Sequence, residues 1–68
     1  MINVNTAGDW VKFERATATT FEIGKTYNIK VKGDCEFAVS SDKPTAGIKT
    51  NTMTFTAVEG VYLWVKTL

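Results

Sequence analysis

Alternation of apolar and polar residues with a period of two is the strongest constraint on the fold of this chain. Residues 9–14 and 20–23 alternate only briefly and are read as two further short strands, and no window sustains a helical period. Longer alternation, typical of half-buried β-strands, occurs in four segments: residues 26–32, 35–40, 52–57 and 61–66. Five or six short strands predict an all-β fold, a small antiparallel sandwich or partly open barrel of five to seven short strands.

The length of the chain limits it to one small domain. Its 68 residues are predicted to form a single unit, residues 1–68, that buries only about 60% of the surface of the extended chain. With 44% hydrophobic and 22% charged residues, the chain is too apolar for intrinsic disorder. It shows neither a signal-peptide pattern nor the roughly 20 apolar residues of a membrane span. We therefore expect no membrane partner and synthesis in a reducing cytoplasm.

The pairing of the first two strong strands is predicted from their connection. A three-residue loop at 32–34 would place Val31 opposite Cys35, which brings the apolar faces of both strands to one side. Residues 40–47 follow these strands and contain Pro44, which fixes φ and disfavours a continued strand. We expect this stretch to be a loop that crosses between two sheets.

The last two strands are predicted to form a second hairpin. A three-residue loop at 58–60 would place Gly60 at the position that needs a positive φ. Phe55 would then lie opposite Leu63, and the apolar side chains of both strands would share one face.

The opposite face of this second hairpin is the candidate binding site. On it, Thr56 would pair with Tyr62 and Thr54 with Trp64. Two large aromatic side chains directed away from the core are either covered by another strand or the N-terminal segment, or exposed as a contact surface. Aromatic rings beside hydroxyl groups suit protein interfaces and also the stacking of sugars. The predicted binding residues are therefore Tyr62, Trp64, Thr54 and Thr56.

Composition argues against most catalytic and cofactor chemistry. The chain has no histidine and one cysteine, Cys35, so the usual general base, a zinc site and an internal disulfide are not expected. Cys35 alternates in step with apolar neighbours and is predicted to be a small buried hydrophobe. Seven carboxylates and a net charge of +1 favour neither a catalytic carboxylate pair in so small a chain nor a nucleic-acid partner. We expect no enzyme activity, no cofactor and no metal.

Residues 26–68 resemble small β-sandwich proteins of tailed-bacteriophage virions, a family of capsid decoration and head- or tail-associated modules. In that pattern an apolar strand ending in serine is followed by a Pro-Thr loop with glycine, a threonine-rich strand and a closing aromatic strand. The matching residues are Phe37, Val39, Ser40, Pro44, Thr45, Gly47, Phe55, Gly60, Val61, Tyr62, Leu63 and Trp64.

The resemblance implies a non-enzymatic structural role in the virion, after synthesis in the host cytoplasm. The implied partners are a capsid or tail protein surface and further copies of the chain, as a homo-oligomer. The strand with Tyr62 and Trp64, or an unpaired N-terminal strand around residues 2–5, would make the contacts. The alternative is a small monomeric β binding module with a carbohydrate or host-protein ligand.

Overall fold

Strands dominate the described part of the chain, which comprises Val4 and residues 8–68 of a computed structural model. Two antiparallel sheets form, with strand orders β1-β6-β3-β4 and β2-β5. The predicted all-β antiparallel sandwich is confirmed. The elements are β1 (Val11–Lys12), α1 (Phe13–Thr17), β2 (Thr26–Lys30), β3 (Cys35–Ser40), β4 (Ile48–Lys49), β5 (Thr52–Thr56) and β6 (Tyr62–Thr67).

The predicted division between apolar and polar faces is confirmed in the central strands. The alternating apolar positions of β2, β3, β5 and β6 supply most of the core, together with Phe13. Val39 is an exception, because 52% of its surface is exposed near the end of β3. The buried alternating residues are Ile29, Val31, Cys35, Phe37, Phe55, Ala57, Leu63 and Val65.

Both predicted hairpins are wrong. Strand β2 pairs with β5, with Ile29 opposite Met53, and β3 pairs with β6, with Phe37 opposite Val65. The connections β2–β3 and β5–β6 therefore cross from one sheet to the other. Two strands that face each other across the core bury their apolar sides just as two paired strands of one sheet do. The alternation of apolar and polar residues is therefore compatible with both arrangements.

The loop at residues 41–47 also differs from its predicted course. It joins β3 to β4 within the same sheet, where Ile48 lies opposite Phe37. The positive φ predicted for Gly60 is confirmed at 80°. That glycine lies in a turn closed by a hydrogen bond from the Val61 amide to the Val58 carbonyl, 3.4 Å long, but the turn leads to the other sheet.

Of the two strands predicted before β2, residues 9–14 form a two-residue strand followed by a short helix, and residues 20–23 form no strand. Only Val11–Lys12 pairs as a strand, and the helix α1 begins at Phe13 and ends where Ala18 adopts a left-handed φ of 57°. Phe13 is fully buried and its ring stacks on that of Phe21 at a centroid distance of 5.7 Å. Packing of these two rings determines the conformation here, since the alternation is too short to specify a strand. Within the described residues α1 is the only helix, and its five residues fall far short of a bilayer span.

Candidate functional site

The four predicted binding residues lie on two different sheets. Thr56 faces Thr26 and Thr54 faces Asn28 in the two-stranded sheet. Tyr62 faces Ser40 and Trp64 faces Ala38 in the four-stranded sheet, where β1 also places Lys12 opposite Trp64. The predicted pairs Thr56–Tyr62 and Thr54–Trp64 are therefore wrong, because the two strands do not pair with each other. The residues belong to two separate outer faces.

The first of these, the threonine face, is the polar outer side of the β2-β5 sheet. The hydroxyl oxygens of Thr26 and Thr56 are 2.8 Å apart, and the Thr54 hydroxyl donates to Asn28 Oδ1 at 3.0 Å. These cross-strand bonds use part of the hydrogen-bonding capacity of the face and hold its side chains in register. All of its members are exposed: Thr26, Asn28, Lys30, Thr52, Thr54 and Thr56.

The second, the aromatic face, consists of Lys12, Ala38, Tyr62 and Trp64 on the outer side of the four-stranded sheet. All four residues are half-buried. The Trp64 indole Nε1–H donates to the Ser40 carbonyl at 3.0 Å, which fixes the orientation of the ring. The Lys12 ammonium lies 3.9 Å from the centroid of the Tyr62 ring and 5.8 Å from that of Trp64. This is a cation–π arrangement on a surface that water still reaches.

Next to the aromatic face, the indole ring of Trp10 is almost completely buried. Trp10 is only 7% exposed, and the Lys66 ammonium lies 5.2 Å from its ring centroid. A Cβ built on Gly47 would come within 2.5 Å of Trp10 Cη2, so the 41–47 loop runs directly against the indole. The structure therefore places Trp10 under the 41–47 loop.

An ion pair forms a second contact between the 41–47 loop and the segment that contains Trp10. Lys43 Nζ lies 2.8 Å from Asp9 Oδ1, and this hydrogen bond, with the Trp10 amide as a second donor, lowers the pKa of the Asp9 carboxyl. Both side chains are largely exposed, so the pair adds little stability. Its effect is to tie the 41–47 loop to the residue that precedes Trp10.

Cys35 is the small buried hydrophobe that was predicted. It is 1% exposed, and its Sγ lies 3.0 Å from the Thr50 carbonyl as a donor. Burial raises the pKa of the thiol, and the nearby Asp34 carboxylate raises it further. The thiolate is therefore disfavoured, which fits a structural side chain.

A groove near the beginning of β6 was not predicted. Its volume is about 220 Å³ and its floor includes Phe21, Phe55 and Ala57. Two apolar side chains on its rim, Ile23 and Val58, are 65% and 45% exposed. The available sequence signal is that both rim residues lie within or beside glycine turns, where polar residues are expected.

Comparison of the chain with protein-family models, curated proteins and solved structures finds no match. Within Val4 and residues 8–68, no three His, Cys, Asp or Glu side chains are grouped so that they could hold a metal ion. The N-terminal contact strand proposed around residues 2–5 lies outside the described residues, apart from Val4, which packs against the core. The two outer faces and the groove are therefore the features from which a function can be argued.

Proposed function

We propose that this chain is a non-enzymatic structural module of a tailed-bacteriophage virion. It decorates the capsid or joins the tail, and it binds a protein surface through the aromatic face. The observation that carries this proposal is the presence of Tyr62 and Trp64 side by side on the solvent side of a sheet, both partly exposed. Tyrosine and tryptophan are the side chains most often found at the energetic centre of protein interfaces.

The fixed geometry of the aromatic face supports binding. The Trp64 ring is oriented by its hydrogen bond to the Ser40 carbonyl, and the Tyr62 ring packs beneath the Lys12 ammonium. Ordering a free side chain on binding costs about 0.5–1.5 kcal/mol. Side chains that are already held avoid much of that cost, so a modest contact area can give useful affinity.

The position of Lys12 favours a protein partner over a sugar. A sugar ring that stacks on tyrosine needs an open ring face, and the Lys12 ammonium lies 3.9 Å from the Tyr62 centroid. A protein surface can accommodate this arrangement with a carboxylate that pairs with the ammonium and an apolar side chain that contacts the indole.

Binding to a surface that is repeated many times suits a domain with such a small core. A partner that binds only the folded state stabilises it by mass action, and a capsid or tail presents the same surface many times. Copies that also touch one another bind more tightly than single copies. We therefore propose homo-oligomerisation on the particle, and we propose that the protein is located in the virion after synthesis in the host cytoplasm.

The alternative is a small monomeric module that binds a carbohydrate or a host protein. The threonine face favours it, because exposed hydroxyl and amide groups there can exchange hydrogen bonds with a polar ligand. In that case Thr54 and Thr56 would carry the binding and the aromatic face would not.

One set of variants separates these functions. Virions purified on density gradients should contain the chain in many copies by quantitative mass spectrometry. Particles from a phage that lacks the gene should rebind the added protein, and Tyr62→Ala or Trp64→Ala should weaken this binding at least about 30-fold, the effect of a hot-spot residue of about 2 kcal/mol. Thr54→Ala and Thr56→Ala are the matched controls and should bind normally. Circular dichroism establishes that each variant is folded.

Absence of the chain from purified particles would refute the virion role. Normal rebinding by folded Tyr62→Ala and Trp64→Ala proteins would refute the aromatic face as the interface. Loss of rebinding in the threonine variants alone would place the interface on the threonine face instead of the aromatic face.

A further inference from the structure

We infer that the groove near the beginning of β6 receives one large apolar side chain from a basic segment of the partner protein. This inference rests on the proposed function only in assuming a protein partner. It adds the chemistry of the partner segment and a second point of contact, beside the aromatic face.

The apolar content of the groove is unusual for turns at the end of a sandwich. Ile23 and Val58 expose 65% and 45% of their surface although each could have been polar without disturbing the core. Between them the groove reaches Phe55 and Ala57, which are 4% and 3% exposed. Filling the groove would remove two exposed apolar side chains from water and extend the core outward.

The two carboxylates that line the groove favour a positively charged partner segment there, while the Lys12 ammonium contacts the ring of Tyr62 at the side of the aromatic face. Glu14 and Glu59 line the groove, and no lysine or arginine does. Within the described residues neither carboxylate forms an ion pair, although Glu14 Oε2 accepts a hydrogen bond from the Phe21 amide at 3.2 Å. Lys25, near Ile23 in the chain, is paired with Glu22. Lysine or arginine flanking the inserted side chain would therefore gain favourable Coulomb interactions, and acidic residues would be repelled.

The size of the groove indicates that it accommodates a single side chain of the partner. Its volume of about 220 Å³ is below the about 300–1,000 Å³ of pockets that enclose small-molecule ligands. A single leucine, phenylalanine or methionine projecting from an extended segment would occupy it, with the flanking residues over the glutamates.

Tyr62 connects the groove to the aromatic face. This residue lines the groove, and its ring also carries the Lys12 ammonium. One continuous partner surface can therefore contact both Trp64 and the groove.

The test uses synthetic peptides as probes of the intact chain. The reference peptide has a central leucine flanked by two lysines on each side; one comparison peptide replaces the leucine by alanine and another replaces the lysines by glutamates. In ¹⁵N NMR titrations the reference peptide should shift the amide signals of Ile23 and Val58 saturably. The alanine peptide should bind at least about tenfold more weakly, as expected for loss of a buried leucine side chain, and the glutamate peptide should not bind.

Two charge variants with equal change in net charge provide the control. Glu59→Lys, at the groove, should weaken binding of the reference peptide about two- to fivefold, an effect that shrinks near about 0.5 M salt. Asp34→Lys, an exposed residue at the other end of the sandwich, should leave the affinity within about twofold. Val58→Asp should abolish binding while circular dichroism remains unchanged.

Absence of saturable binding up to about 5 mM peptide, equal binding of all three peptides, or shifts confined to the threonine face would overturn the inference. These outcomes are independent of the virion proposal. Particle binding that persists without peptide binding would refute only the groove, and peptide binding without particle binding would refute only the virion role.

Discussion

Replacing Gly47 by alanine tests how closely the 41–47 loop is packed beside the aromatic face. The backbone of Gly47 is outside the left-handed region, so alanine is allowed there by conformation. A Cβ at this position would lie 2.5 Å from both the Phe37 carbonyl oxygen and Trp10 Cη2. Carbon atoms normally pack at about 3.5–4.0 Å, so the contact with Trp10 Cη2 is short by about 1 Å. The contact with the carbonyl oxygen is also closer than real Cβ atoms approach a neighbour.

Neither neighbour can move away cheaply. The Phe37 carbonyl belongs to β3, between β6 and β4, and Trp10 is 7% exposed. Overpacking of this kind costs about 1–3 kcal/mol, against a gain of about 0.4–1 kcal/mol from the smaller entropy of the unfolded alanine chain. A net loss of about 1–2 kcal/mol is large for 68 residues, which are expected to have about 3–10 kcal/mol in total.

Urea unfolding followed by tryptophan fluorescence measures this loss. The midpoint for Gly47→Ala should fall by about 1–2 M at an unchanged m-value near 1 kcal/mol/M. The melting temperature should fall by about 5–15 °C, since 1 kcal/mol corresponds to about 4–8 °C in a domain of this size. Thr45→Ala, an exposed change in the same loop, is the control and should stay within about 0.5 kcal/mol of the wild type.

A Gly47→Ala protein as stable as the Thr45→Ala control would show that the loop does not pack against Trp10 as described. The double variant with Trp10→Phe sharpens the test, because phenylalanine lacks the Cη2 atom. Gly47→Ala should cost less in that background, with a coupling energy of at least about 0.5 kcal/mol. The rescue should be partial, since the contact with the Phe37 carbonyl remains.

Three further predictions concern single side chains. Lys12→Ala should lower the free energy of unfolding by about 0.5–1 kcal/mol through loss of the cation–π contact with Tyr62; an unchanged urea midpoint would contradict it. The raised pKa of the Cys35 thiol means that stability is full below the ordinary cysteine pKa of about 8.5 and falls as pH rises toward the folded pKa. Cys35→Ala should remove this alkaline dependence, and in the native protein Cys35 should react slowly with thiol reagents. The pKa of Asp9, measured by NMR, should lie below its ordinary value and rise in Lys43→Ala; because the folded pKa is lowered, its small contribution to stability is present at neutral pH and is lost as pH falls.

The apolar faces of the central strands could be predicted because alternation with a period of two determines which side chains of a strand share the buried face. Ile29 and Val31 cannot be buried together with Lys30 in a strand, and the structure buries the first two and exposes the third. The helix α1 could not be predicted in the same way. Phe13 becomes buried through its contacts with Phe21 and Phe37, and such contacts between distant residues leave no local pattern.

Strand pairing was the uncertain step, and the candidate site depended on it. Placing Thr54 beside Trp64 required that β5 and β6 be neighbours, whereas they belong to different sheets. The groove beside Tyr62 depends in turn on this crossing, because turns that connect two sheets bring Val58 close to Ile23 at one end of the sandwich. A surface assembled from two connections cannot be inferred from either strand alone.

The glycines of the two connections show why the hairpins predicted from the sequence were wrong. A three-residue hairpin loop takes a glycine with positive φ at its third position. In the 32–34 connection Gly33 occupies the middle position, with a φ of 88°, so this loop argued against a hairpin. Gly60 occupies the third position of 58–60 and satisfies the hairpin rule, yet its turn leads to the other sheet. The two cases are coupled, because once β2 pairs with β5, pairing β3 with β6 satisfies the backbone hydrogen bonds of both and closes the sandwich. The unfavourable glycine position in the first loop therefore carried information about the second pairing as well.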